Sequence, residues 1–91
     1  MTPEAKVKQE IKAHLAGVEG LWFFMPVPTG YGMRGIPDFV GCYRGRFFAI
    51  EAKSDIGKLS PWQERVRDKI TLAGGLWLLA RSAGDVTHVF Q

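Results

Sequence analysis

The sequence has 91 residues, of which 46% are hydrophobic and 23% are charged, and its formal net charge is +3. This length predicts a single domain, residues 1–91, with a small hydrophobic core, and the composition is that of an ordinary globular protein. The mild positive charge permits nucleic-acid binding but is weaker than that of packaging proteins. The single cysteine excludes an internal disulfide framework, and with two histidines it cannot complete a four-ligand zinc site.

The N-terminal residues and the longest apolar run bear on cellular location. Charged side chains are scattered through residues 4–12, which is unlike a signal peptide. The longest uninterrupted apolar run, residues 21–27, is too short to cross a bilayer. We therefore expect no membrane association and a cytoplasmic location.

Residues 3–16 have the pattern of an amphipathic helix. Thr2 is a favourable N-cap, and Pro3 suits the first helical position. Apolar residues then recur at helical spacing, at Val7, Ile11, Leu15 and Val18. Glu4 lies on the same stripe, which favours a role at a site beside the core. Its alternative role is to complement the positive end of the helix dipole.

Apolar runs at residues 21–25 and 76–80 predict two buried strands. Val86, His88 and Phe90 alternate with Thr87 and Val89, which predicts a short edge strand near the C-terminus. Cys42 lies inside a further predicted strand, where we expect a small core side chain.

The segment Pro26–Gly35 is rich in proline and glycine and predicts a long loop. Arg34 in this loop is placed to bind a phosphate, and Tyr31 to contact a sugar or base. A surface connection without a binding role explains the same residues equally well.

The central stretch, Gly35–Lys53, predicts a β-hairpin. Two runs rich in β-forming residues, 36–43 and 46–53, are joined by Arg44 and Gly45. Apolar and aromatic runs that are separated by a short glycine-containing joint are typical of this motif.

The register of this hairpin decides whether two carboxylates meet. With a two-residue loop, Asp38 lies directly across from Glu51, and Lys53 points to the same face of the sheet. The like charges would then oppose each other unless a divalent cation binds both. A three-residue loop that ends at Gly45 would instead place the two carboxylates on opposite faces. Solvation of both acids on an exposed sheet face, with Lys53 as a partner, is a further alternative.

Ser60 opens a second helix, which we expect to run through Ala73. Ser60, Pro61 and Gln63 form the sequence of a capping box with proline at the first helical position. The Gln63 side chain therefore has a structural explanation, the hydrogen bond to the Ser60 backbone.

Together these motifs resemble the PD-(D/E)XK nuclease signature, in which Pro37-Asp38 is followed, after a hairpin, by Glu51-Ala52-Lys53. Three further features are similar to the VRR-Nuc branch of that superfamily: Arg34–Asp38, the Gly45–Phe47 turn and Gln63. The similarity runs from about Glu4 to Gly75. It implies an α/β fold with the element order α-β-β-β-α-β and a mixed sheet flanked by helices, a PD-(D/E)XK nuclease-like core.

The resemblance also implies a divalent-metal-dependent endonuclease. Asp38 and Glu51 would bind Mg²⁺ or Mn²⁺ with the Ala52 backbone carbonyl as a third ligand, and Glu4 would reach the metal through water. Lys53 and Gln63 would then act on the attacking water or on the scissile phosphate. The candidate DNA contacts are Arg34, Tyr31 and Lys58.

Standalone domains that resemble this one are often phage-encoded and look like resolvases of four-way (Holliday) DNA junctions, which act as symmetric dimers. We therefore expect a homodimer that pairs through the first helix with residues 21–25, or through the strand of Trp77. Two alternatives stay open, a catalytically inactive nucleic-acid-binding module and a restriction-type nuclease. The second has little chain available for base readout.

Overall fold

Four strands form one mixed sheet that is flanked by helices. The computed structural model describes all of residues 1–91. In chain order the elements are α1 (Pro3–Ala16), β1 (Leu21–Phe24), β2 (Phe39–Tyr43), β3 (Arg46–Ala52), α2 (Pro61–Leu72), β4 (Leu76–Ala80) and α3 (Gly84–Thr87). The strands lie in the order β1-β2-β3-β4, with β1, β2 and β3 antiparallel and β4 parallel to β3. The predicted α/β fold and its element order are confirmed.

The two long helices begin at the predicted residues because each has a side-chain cap. The Thr2 hydroxyl accepts a hydrogen bond from the Ala5 amide at 3.1 Å. At the start of α2, Ser60 and Gln63 form the reciprocal bonds of a capping box. These bonds satisfy amide groups that the first helical turn leaves without a partner. None of the helices is long and apolar enough to cross a membrane.

The turn between β2 and β3 contains two residues, as the sequence predicts. Arg44 has φ of 50° and Gly45 has φ of 87°, so both central residues adopt the left-handed conformation that a type I′ turn requires. Tyr43 pairs with Arg46, and the ladder continues to Phe39 opposite Ile50. The alternative three-residue loop is therefore excluded.

The hydrophobic core lies between α1, the C-terminal segment and one face of the sheet. Phe39, Phe48 and Ile50 are fully buried on this face. They pack with Ile11 and Leu15 of α1. Each such side chain contributes about 1.5–3 kcal/mol by burial. The core thereby fixes α1 on the sheet and holds its N-terminal half beside the end of the hairpin.

The prediction that residues 21–25 and Cys42 are buried is wrong. The side chains of Trp22 and Phe24 are 66% and 49% exposed, and Cys42, which pairs with Trp22, is exposed as well. Successive side chains of the edge strand β1 point to opposite faces of the sheet, and only Leu21 and Phe23 are on the face that packs against the core. The strand of residues 76–80 is correctly placed but forms the opposite edge, where only Ala80 is buried.

The predicted strand at residues 86–90 is also wrong. Residues 84–87 form α3, and the Phe90 amide donates to the Val86 carbonyl at 3.0 Å, which continues the helical pattern. Val86 and Phe90 are both fully buried. Their spacing of four residues serves a helical turn as well as an alternating strand, and the core selects the turn.

Candidate active site

The hairpin register brings two carboxylates together at the end of β3. Asp38 immediately precedes β2, and continuing the ladder by one pair beyond Phe39 and Ile50 places it across from Glu51. One oxygen of Asp38, Oδ2, accepts a hydrogen bond from the Ala52 amide at 2.9 Å. This bond fixes the Asp38 side chain against β3 and beside Glu51.

Glu51 occupies an environment that disfavours its charged form. The residue is only 4% exposed, and its Oε2 atom is buried without a hydrogen-bond partner. Burial, followed by a hydrogen bond and charge repulsion from Asp38, raises the pKa of Glu51 from 4.5 to about 9, although the Lys53 charge partly opposes the shift. An isolated buried acceptor of this kind is costly unless something pairs with it.

A lysine from α1 lies at the same carboxylates. Lys8 Nζ is 3.2 Å from Asp38 Oδ1 and 3.6 Å from Glu4 Oε2. Burial lowers the pKa of Lys8, but the charges of Asp38, Glu4 and Glu51 outweigh it and leave that pKa raised. Sequence analysis missed Lys8, although its position four residues after Glu4 puts both side chains on one face of the helix.

Glu4 lies at the border of the site. Its side chain is 42% exposed and pairs with Lys8. The structure contains no group of three or more His, Cys, Asp and Glu side chains that could hold a metal ion together. Glu4 is therefore not a third direct carboxylate ligand, and its predicted contact through water stays a prediction.

Asp38 and Glu51 nonetheless fit a hard divalent cation. Their carboxyl groups are neighbours, the buried Glu51 Oε2 lacks a partner, and Asp38 already attracts the positive charge of Lys8. Oxygen ligands of this type suit Mg²⁺ and Mn²⁺. Ala52 touches the site through its amide, which donates to Asp38, and ligation by its carbonyl stays a prediction.

Lys53 follows β3 directly, and its backbone amide donates to the Ala80 carbonyl at 3.0 Å. Its charge acts on Glu51, yet it forms no ion pair within 4.0 Å, so its ammonium is available to a ligand. The following loop is held by Arg81, which donates to the carbonyls of Ser54 and Gly57. Arg81 is thus a second supporting residue that the sequence pattern did not reveal.

Gln63 performs the predicted capping function. Its Oε1 atom accepts from the Ser60 amide at 2.9 Å, and the Ser60 hydroxyl accepts from the Gln63 amide at 3.2 Å. Gln63 also lines a cavity that extends to Asp38. A catalytic role for the side-chain NH₂ group of Gln63, which is not part of the cap, stays a prediction.

This cavity lies between the 26–38 loop and the start of α2, and its volume is about 580 Å³. Arg34 and Trp62 lie on its wall, with the Arg34 guanidinium 5.1 Å from the centre of the Trp62 ring. Tyr31 is fully exposed and Lys58 is exposed, and neither lines the cavity. Of the three predicted DNA contacts, the structure therefore brings only Arg34 to the cavity beside Asp38.

No family model and no curated protein matches this sequence. Among solved structures, a VRR_NUC domain has a similar fold, with a TM-score of 0.78 and 22% sequence identity. The similarity covers 98% of this chain and 95% of that chain. The structural similarity shows the fold, and the low sequence identity leaves the activity open. The chain therefore has the fold of a VRR_NUC domain, as its motifs predict.

Proposed function

We propose that this protein is a divalent-metal-dependent endonuclease that hydrolyses phosphodiester bonds in DNA. One observation carries the proposal: the buried Glu51 presents an unpartnered oxygen beside the Asp38 carboxylate. The similarity of the fold to a VRR_NUC domain supports it. Two adjacent acids at the ends of neighbouring central strands are destabilising for folding alone, and a bound cation would remove that cost.

Asp38 and Glu51 would hold Mg²⁺ or Mn²⁺, with the Ala52 carbonyl as a further oxygen ligand and Glu4 acting through water. A divalent cation there lowers the pKa of bound water and offsets negative charge on the scissile phosphate. Lys53 would approach that phosphate, since its ammonium has no ion-pair partner. Gln63 would hold the start of α2 in place through its cap, with its free amide directed to the substrate.

The proposed substrate is branched DNA, in particular the four-way junction, and the proposed active form is a symmetric homodimer. Two strands of a junction must be cut at related positions, so one site per chain calls for two chains. An uncovered apolar face supports pairing, with Trp22, Phe24 and Phe47 exposed by 66%, 49% and 46%. The rings of Trp22 and Phe24 lie 5.7 Å apart and form one continuous patch. A phage-encoded protein with this activity would act in the cytoplasm of the host cell.

The test compares cleavage of a synthetic four-way junction with cleavage of a linear duplex, in Mg²⁺ and in Mn²⁺. We expect metal-dependent cleavage of the junction by the parent and none by Asp38→Ala. Sedimentation equilibrium at micromolar concentration should give two chains per particle.

Each part of the proposal can fail separately. A folded parent that cleaves neither DNA in either metal would refute the nuclease activity. Equal rates on both DNAs would refute the preference for junctions. One chain per particle, with junction cleavage intact, would rule out the symmetric mechanism.

A further inference from the structure

Trp62 and Arg34 line the cavity beside Asp38, and Arg65 lies against the same indole ring outside the cavity lining. Trp62 is 45% exposed, and two guanidinium groups lie near its ring, those of Arg34 at 5.1 Å and Arg65 at 4.8 Å from the ring centre. We infer that Trp62, Arg34 and Arg65 form a binding site for one unpaired nucleotide next to the cleaved phosphodiester. The inference rests on the proposed function and names the part of the DNA that this region binds.

The cavity has room for such a ligand. Its volume of about 580 Å³ falls within the range of small-molecule sites. It is bordered by Arg34, Trp62 and Gln63, and it reaches Asp38. A nucleotide in this cavity would therefore lie within reach of the Asp38 carboxylate.

The chemistry of the wall matches a nucleotide. Exposed indole and guanidinium planes stack on bases of any sequence, and guanidinium groups also attract the phosphates. Neither Arg34 nor Arg65 forms an ion pair with an acidic side chain, so both charges are available to an anion. A base inside a duplex has both faces covered by its neighbours, whereas an unpaired base exposes a face to Trp62.

The cluster is also held in a defined position. Gly35 has φ of 78°, and a Cβ atom there would overlap the Trp62 carbonyl. The loop backbone therefore packs directly on the first turn of α2, and only glycine permits this approach. Because Ser60 and Gln63 cap the same turn, Trp62 and Arg34 remain close to each other without a ligand.

The experiment measures binding without cleavage. A fluorescein-labelled oligothymidylate and a blunt-ended, fully paired duplex of equal charge are titrated with protein in EDTA, and affinity is read from fluorescence anisotropy. Trp62→Ala is expected to weaken oligothymidylate binding by about fivefold to 100-fold, the effect of losing one stacked base. Duplex binding should change by less than about twofold, a factor worth well under 1 kcal/mol. Leu72→Ala is the matched control, since Leu72 is exposed on the same helix and does not line the cavity.

Equal weakening of both ligands by Trp62→Ala, or no weakening, would overturn the inference. If Trp62→Ala lowers the melting temperature, Arg34→Gln in the exposed loop gives a second measurement, with a selective loss of oligothymidylate binding expected. An unchanged affinity of Arg34→Gln for oligothymidylate would then overturn the inference. Selective binding by a protein that cleaves no DNA would leave this site standing and refute the nuclease proposal.

Discussion

The two ends of the β2–β3 hairpin differ in what surrounds them. At the turn, Arg44 and Gly45 are exposed, and no atom lies within 4 Å of the position of a Gly45 Cβ. At the other end, Asp38 and Glu51 are enclosed by α1 and the neighbouring strand, and Glu51 is 4% exposed. Local backbone conformation determines the structure of the turn, and desolvation determines the acidity of Glu51 at the other end.

The difference shows how a turn can control chemistry at a distance. The left-handed conformations of Arg44 and Gly45 set the register, and the register decides that Asp38 faces Glu51. The register by itself does not change acidity. Burial and charge repulsion then raise the pKa of Glu51 to about 9. The buried Oε2 atom has no hydrogen-bond partner.

The largest effect is expected at the carboxylate end, for Lys53→Ala. Its ammonium lies near Glu51 without an ion-pair partner, so we assign it to the scissile phosphate. Removing one such group typically lowers turnover by about 100-fold or more. The variant should keep its melting temperature and its Mn²⁺ affinity. Junction cleavage at saturating metal is the measurement.

Lys12→Ala is the control for Lys53→Ala, because Lys12 is exposed on α1 and pairs with no acid. It should cleave like the parent. If Lys53→Ala retains cleavage within about threefold, well short of the loss typical for a catalytic group, Lys53 is only a charge partner of Glu51.

The next effect concerns the stability of the metal-free protein and its dependence on pH. Since the pKa of Glu51 rises from 4.5 to about 9 on folding, the folded state retains a proton that the unfolded state releases. The associated stability is complete below pH 4.5 and is lost as the pH rises towards 9. Glu51→Gln should therefore raise the melting temperature at pH 8 by an amount on the order of 5 °C and have little effect at pH 5.

Thermal unfolding in EDTA from pH 5 to pH 9 gives the comparison, with exposed Glu19→Gln as the control. Only the difference between variant and parent is used, because other groups also titrate in the unfolded chain. A difference that stays constant with pH would contradict the raised pKa of Glu51.

Particular residues show why the sequence predicts one end of the hairpin better than the other. The turn follows from two adjacent residues, and the N-caps of α1 and α2 follow from short motifs, so local chemistry suffices for both. Lys8 reaches Asp38 only because the core docks α1 on the sheet, and no pattern in the chain encodes that approach directly.

The wrong burial prediction for residues 21–25 also results from contacts between distant segments of the chain. The run at residues 21–25 is apolar throughout, yet Trp22 and Phe24 lie on the face of β1 that does not pack against the core. The cluster of Trp62 with Arg34 likewise joins residues from a loop and a helix. Burial and contacts between distant segments depend on strand order and helix docking, which composition and spacing leave open.

A smaller effect is expected when Lys8 is replaced. Its ammonium lies 3.2 Å from Asp38 Oδ1, so a divalent cation has to compete with it for the same oxygen. Lys8→Met keeps much of the side-chain volume and removes the charge. We expect the Mn²⁺ affinity to rise by about two- to fivefold, in line with the modest strength of a partly exposed ion pair.

Calorimetric titration with Mn²⁺ measures this affinity directly, and Lys12→Met provides the same change in net charge away from the site. An equal increase in both variants would show a general charge effect. A decrease in Lys8→Met alone would mean that Lys8 supports the metal-bound form and does not compete with the cation. Absence of Mn²⁺ binding in the parent and in both variants would refute the metal centre itself.

The smallest effect on the metal site is expected for a change at the turn, Gly45→Ala. Gly45 has φ of 87°, and an added Cβ would meet no atom within 4 Å, so the change introduces backbone strain without a clash. Strain of this kind costs about 1–2 kcal/mol, and the melting temperature should fall by several degrees.

The control is Gly30→Ala, which is equally open but lacks the left-handed φ, and it should leave the melting temperature unchanged or slightly raised. Arg44 and the pairing of Tyr43 with Arg46 remain, so the register should persist and the Mn²⁺ affinity of Gly45→Ala should equal that of the parent. Loss of metal binding in a folded Gly45→Ala protein would mean that the hairpin had slipped by one residue and that the turn residue alone determines whether Asp38 meets Glu51.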